Sequence, residues 1–153
     1  MRPLATRQVH LDFHTSELIP SVGKGFSKEN FQTALKLGNL NSITVFAKCH
    51  HSWCYYPTKA GKVHPTLDFD LLGAQIQAAH EIGVRAPVYI TVGWSSNDAE
   101  EHPEWLAKNK DGFIQTMNYN LDAKPEDEKE KVSWKILCPN GPYSAHIFEL
   151  TQE

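Results

Sequence analysis

No run in the 153 residues approaches the ~18 consecutive apolar residues that span a bilayer, so no membrane association is expected. Basic residues are in the minority. Fifteen Lys and Arg stand against eighteen Asp and Glu, giving a formal charge of −3. That sign argues against nucleic acid as a partner, because general nucleic-acid binders usually carry a basic patch. Cysteines number three (Cys49, Cys54, Cys138), an odd count that makes no disulfide framework. They read as reduced thiols. Met1 to His10 also lacks the apolar core of a secretion signal, and the expected location is cytoplasmic. Phosphate-binding signatures are missing as well. There is no Walker-type loop, and Gly23-Lys24-Gly25 falls short of the dinucleotide fingerprint, with no strand directly before it. No internal repeat or low-complexity segment is visible. Length excludes one more architecture. A complete (β/α)8 barrel takes ~250 residues, with ~200 as the usual lower end, so any barrel here is partial.

What remains is a composition of 41% hydrophobic and 22% charged residues, as in a soluble globular domain with a real core. Val9 to Phe13 reads as a first strand ending in His14. Ser27 caps a helix whose Phe31, Ala34 and Leu35 fall at helical spacing, with Gly38 at the stop position. Ser42 to Ala47 (SITVFA) is nearly continuous apolar, as suits a strand buried on both faces. Asp70 to Ile82 is a second helix with Leu72, Ile76 and Ala79 on one face and Gly83 closing it. Arg85 to Val92 is a third strand, weakened by Pro87, which removes a ladder donor. The order β-α-β-α-β implies an α/β fold with parallel strands and right-handed crossovers. Beyond Val92 a long loop is expected. Asp122 to Lys131 reads as a solvated charge run, Trp134 to Cys138 as a short strand with Trp134 in the core, and Pro142 opens a helix from Tyr143 to the end.

Connections entering the strands are short and those leaving them are long. Loops at the carboxyl ends of parallel strands form the working face of such folds. His14, Lys48-Cys49-His50-His51 and Trp94 each follow a strand, and all are expected on one rim. Cys49, His50, His51, Cys54 and His64 raise the question of a metal. Cys-x4-Cys lies outside the commonest zinc patterns, and adjacent histidines rarely bind one ion together, so no metal or other cofactor is assigned. Cys49 beside His50 has a base at hand but no oxyanion motif, and packs as a small residue. Carbohydrate is the ligand class left. Trp53, Tyr55, Tyr56, Trp94 and Trp105 sit in loops, where some pack the loop and others are free to meet the C–H faces of a sugar. Paired imidazoles donate to and accept from its hydroxyls.

The stretch Val45-Phe46-Ala47-Lys48-Cys49-His50-His51-Ser52-Trp53-Cys54-Tyr55-Tyr56-Pro57-Thr58 resembles glycosyl hydrolases related to α-L-fucosidases. So do Leu11-Asp12-Phe13-His14, His64-Pro65-x-Leu67, Asp70-Leu71-Leu72-Gly73, His102-Pro103-Glu104-Trp105 and Leu137-Cys138-Pro139-Asn140-Gly141-Pro142-Tyr143. The better-known fucosidases carry Lys-His-His-Asp-Gly-Phe after a barrel strand; here Cys49 interrupts the junction and Ser52-Trp53 replaces Asp-Gly. The resemblance implies that His50 and His51, with His14 and Trp94, hold the sugar, and that Tyr89 loosely replaces the family's tyrosine after the next strand. Trp53 joins them as a candidate binding aromatic. It further implies that residues 1–153 are the N-terminal part of a (β/α)8 catalytic domain, truncated at its C-terminal end. The complete enzyme would hydrolyse a terminal glycosidic bond with retention, through two carboxyl groups ~5 to 5.5 Å apart. The resemblance also implies that the nucleophile lies beyond residue 153, on the strand that follows the helix beginning near Tyr143; Glu17, Asp98, Glu100, Glu101 and Glu104 read as loop or helix-end charges. The expected partner is an oligosaccharide or glycoside, and the full-length enzyme is expected to be a homo-oligomer. The 153-residue chain is expected to be inactive alone. Two other readings stand beside this one: a carbohydrate-binding or vestigial module without catalysis, and a metal-dependent hydrolase using Cys49, His50 and His51.

Overall fold

The structure is a computed structural model that describes residues 4–117 and 134–153; the charge run from Asp122 to Lys131 lies outside the described residues. The chain divides into two units. One comprises Met1–Cys49 and Trp53–Ile90, the other His50–Ser52 and Thr91–Glu153.

The first unit carries the expected β-α-β-α-β order. Its elements are β1 (Gln8–His10), α1 (Lys28–Leu37), β2 (Ser42–Lys48), β3 (Trp53–Cys54), β4 (Lys62–Val63), α2 (Leu71–Glu81) and β5 (Val88–Ile90). β1 and β5 both run parallel to β2, with Val9 opposite Ile43 and Phe46 opposite Tyr89. Ser42 bridges both Gln8 and Arg85, and Lys48 pairs both Cys54 and Ile90. A residue has one partner per edge, so β5 follows one edge of β2 while β1 and β3 share the other. The short β3 and β4 lie in the polar stretch after β2, where no strand is expected from sequence.

β2 is buried on both faces, which is why its sequence does not alternate. Ile43, Val45 and Ala47 pack with Leu35 of α1 and with Leu72 and Ala79 of α2; Val9 and Ile76 join at the margin. Phe46 packs on the other face with Val22, Tyr55, Leu67 and Leu71. Each large side chain so buried contributes about 1.5–3 kcal/mol.

Both helices start where their caps stand. The Ser27 hydroxyl accepts from the Asn30 N–H at 3.3 Å, and the Asp70 carboxylate accepts from the Gly73 N–H at 2.8 Å. The end of α1 differs from expectation. Gly38 is right-handed at φ −73°, and Asn39 takes the left-handed turn at φ 51°. A Cβ at Gly38 would lie 3.2 Å from the Leu40 side chain, a tight contact that Leu40 would have to shift to relieve. At the end of α2, Gly83 does take the left-handed turn at φ 75°.

Two strands are shorter than the sequence suggests. β1 stops at His10 rather than Phe13, and β5 holds only Val88–Ile90 of the expected Arg85 to Val92. Pro87 has no N–H to give, but its carbonyl accepts from Val45 at 3.0 Å.

The second unit corrects the expected long loop. It contains α3 (Ser96–Glu101), a 3-10 turn at Pro103–Trp105 and α4 (Tyr143–Gln152), the last as expected. Lys135, Ile136 and Leu137 form single bridges rather than a strand. Ala99, Leu106, Leu137 and Tyr143 make its core, with Trp105 and Ile147 against them. Among the described residues no helix is long and apolar enough to cross a membrane.

Candidate functional site

In the first unit the chain after β1 is pinned from several sides. The Tyr55 hydroxyl donates to the Phe13 carbonyl at 3.0 Å. That leaves the Thr15 hydroxyl, 2.7 Å away, to donate to Tyr55. The Cys49 thiol donates to the Thr15 carbonyl at 3.7 Å. His64 Nε2 lies 3.0 Å from the Ser16 carbonyl and therefore carries the proton. Its Nδ1 then accepts from the Thr66 N–H at 3.2 Å. Tyr55 is fully buried, and that burial, with Cys49 second, pushes its phenol well above the ordinary tyrosine range.

This pinned loop presents His14. Its ring lies 5.2 Å from Phe46 and 5.9 Å from Tyr89, edge-on to both. His10 reaches the same two rings at 5.4 and 5.9 Å, and Phe46 and Tyr89 stack at 4.4 Å. The Asp12 carboxylate stands 2.9 Å from His10 Nε2 and 3.8 Å from His14 Nε2. Trp53, in the same unit, packs against His64 and donates from its indole nitrogen to Glu17 at 3.3 Å.

In the second unit His50, His51 and Trp94 come together around a residue that the sequence reading assigns to the core. His50 is 5.2 Å from Trp94 and 5.7 Å from Trp134; His51 is 5.0 Å from Trp134. All three contacts are nearly perpendicular, between 71° and 82°. Trp134 is half-buried, not sealed in the interior. The indoles are held by backbone pairing: Trp94 bridges Ile136, Leu137 donates to the Gly93 carbonyl at 2.9 Å, and Met117 donates to that of Trp134 at 2.7 Å. The His50 carbonyl accepts from the Ser96 N–H at 2.8 Å.

The candidate residues thus fall into two described groups, His14 with Tyr89 in one unit and His50, His51 and Trp94 in the other. Trp134 and His10 join them and escape the sequence reading for different reasons. Trp134 stands 40 positions from Trp94, with no pattern connecting the two. His10 shares a strand face with Gln8 by the period-2 rule, a signal that was available. Of the other loop aromatics, Tyr55 is structural and Trp105 stacks on His102 at 3.7 Å.

Three of the five candidate carboxylates are engaged locally. Glu17 accepts from Trp53, Asp98 from Ser95 and Glu104 from His102. The Glu104 carboxyl is held below its usual range by its own backbone N–H first and by His102 second. Among the described residues no three His, Cys, Asp or Glu side chains are placed to hold a metal ion. The donor geometry therefore gives a metal-dependent reaction no support.

Comparison with known proteins adds a second line of observation. The family described as hypothetical glycosyl hydrolase 6 matches residues 27–153. Alpha-L-fucosidase isoenzyme 2 from Paenibacillus thiaminolyticus is 49% identical over 98% of this chain and 21% of its own, with a TM-score of 0.83. The present chain spans about a fifth of that fucosidase. A hypothetical protein from Ruminiclostridium thermocellum ATCC 27405 is 15% identical, covers 86% of this chain and 65% of its own, and has a TM-score of 0.58, a likeness of fold alone. No curated protein matches the chain.

Proposed function

The chain belongs to the hypothetical glycosyl hydrolase 6 family, and from that membership we propose that it is the N-terminal part of an α-L-fucosidase-like glycosidase. The observation that carries the reading is the second unit's ring cluster, two adjacent imidazoles set nearly perpendicular to Trp94 and Trp134. An indole offers a flat apolar wall to the C–H face of a sugar ring. An imidazole at right angles to it meets the hydroxyls that project from the ring's edge. His50 and His51 would bond vicinal hydroxyls, and Trp94 and Trp134 would form the wall. Within the first unit, His14, Tyr89 and Trp53 remain candidate sugar-binding residues.

The three parallel strands are proposed as part of a (β/α)8 barrel, and the reaction as retention through two carboxyl groups. The local engagement of Glu17, Asp98 and Glu104 supports a nucleophile and acid supplied from outside this chain. A cytoplasmic setting and a homo-oligomeric complete enzyme belong to the same proposal, the first resting on the odd count of three cysteines. The engaged carboxylates also favour a second reading, a sugar-binding module without catalysis.

An aryl α-L-fucoside tests the proposal. The full-length protein containing this chain should release nitrophenol, and the 153-residue chain should not. Turnover by the chain alone, well above blank, would overturn the assignment of the nucleophile. A full-length protein that binds L-fucose saturably, followed by tryptophan fluorescence, but never cleaves the fucoside would favour the second reading.

A further inference from the structure

Beside the ring cluster lies a closed circuit of buried polar groups, all in the second unit. Ser95 Oγ donates to Asp98 Oδ2 at 2.6 Å. Its proton is then used, so the 2.7 Å contact with Ser52 is a donation from the Ser52 hydroxyl to Ser95 Oγ. Ser52 Oγ in turn accepts from the Asp98 backbone N–H at 3.0 Å. The circuit begins and ends on Asp98, and the three residues are between 0% and 8% exposed. Each bond polarises the next in one direction around the ring.

The circuit occupies the start of α3. Ser95 is the residue before the helix, and Asp98 is its third helical position. A capping serine ordinarily accepts from that third N–H itself. Here Ser95 makes no such bond, and Ser52 supplies the accepting oxygen from elsewhere in the sequence. The first helical N–H, from Ser96, goes to the His50 carbonyl. Two of the free donors of the helix start are therefore used to hold the segment His50–Ser52. Ser52 keeps this position at φ 75°, a left-handed conformation that non-glycine residues rarely adopt. The surrounding bonds must over-determine it.

We propose that Ser52 is a positioning residue for His50 and His51. With Ser95 and Asp98 it anchors their turn to α3, so that both imidazoles stay edge-on to Trp94 and Trp134. The inference deepens the sugar-binding reading and rests on it for its consequence, but the anchoring itself is observable without sugar. Misplacing a binding group by about 1 Å can cost a hundredfold in function, so a serine that touches no ligand still controls the site.

Histidine ring resonances provide the test. The Cε1–H and Cδ2–H signals of His50 and His51 carry ring-current shifts from Trp94 and Trp134 that depend steeply on distance and angle. Ser52→Gly keeps the left-handed turn accessible and removes only the hydroxyl. Asp98→Ala opens the circuit, and Asp98→Asn keeps an accepting oxygen. In the sugar-free protein, Ser52→Gly and Asp98→Ala should collapse these shifts toward those of unstructured histidine, while Asp98→Asn retains most of them. In L-fucose titrations the first two should raise Kd about tenfold, within the loss that such misplacement can cause. Cooperatively melting Ser52→Gly protein with unchanged His50 and His51 shifts would overturn the proposal. If Asp98→Ala does not fold, Ser52→Gly decides. Wild-type protein that ignores L-fucose defeats the functional reading alone, because the ring shifts are recorded without it.

Discussion

Tyr55 is one of the loop aromatics that pack the loop rather than meet a ligand. In the fold its hydroxyl bridges Thr15 and the Phe13 carbonyl, and its ring lies in the core against Phe13 at 4.8 Å. Tyr55→Phe should therefore cost about 1–2 kcal/mol in urea unfolding, because it leaves a buried carbonyl and hydroxyl short of a partner. The pH dependence has a definite sign. Tyr55 and Tyr143 both have phenols raised by burial, with Cys49 second for Tyr55 and the Asp98 charge second for Tyr143. The folded state then holds protons that the unfolded state releases above pH ~10. Stability is unaffected by these groups below that pH. It falls above it by about 1.4 kcal/mol per pH unit for each tyrosine until the folded-state value is passed. Tyr55→Phe should halve that alkaline slope; an unchanged slope would show that neither burial nor Cys49 acts on it. Among the candidate site residues, His50, His51 and Trp94 were legible because each follows a strand. Trp134 was not, since only folding brings it beside them.

Helix starts were legible because capping is local chemistry. Ser27 caps α1 as the sequence suggests, and Asp70, read from sequence as the first residue of the second helix, serves as its cap instead. α3 escaped notice although Ser95-Ser96-Asn97-Asp98 carries the S-x-x-D signature of a capped start. At six residues, α3 has too little apolar periodicity to stand out from a loop. The start of α2 makes a quantitative prediction. A Cβ on Gly73 would run into the Asp70 carboxylate and displace the cap. Gly to Ala within a helix otherwise gains about 1 kcal/mol, and losing a cap costs about the same. Gly73→Ala alone should therefore be close to neutral. The same change in an Asp70→Ala background should stabilise by about 1 kcal/mol, and thermal unfolding of the four proteins measures that coupling. Additive effects would show that the cap does not depend on the space at Gly73.

For the protein as a whole, the consequences converge on the glycosidase assignment. In the full-length protein, His51→Ala and Trp134→Ala should each lower kcat/KM for an aryl α-L-fucoside by up to about a hundredfold. Wild-type rates in both variants would remove the ring cluster from the site. The β-α-β-α-β order of the first unit, the parallel sense of its three main strands, the Ser27 cap and the family itself could be read from the 153 residues, because each depends on neighbours along the chain or on a contiguous motif. Which aromatic rings meet the histidine pair, and which oxygen caps α3, could not. Those contacts join positions roughly 40 residues apart or more, and no local propensity records a distance that only the packed backbone creates.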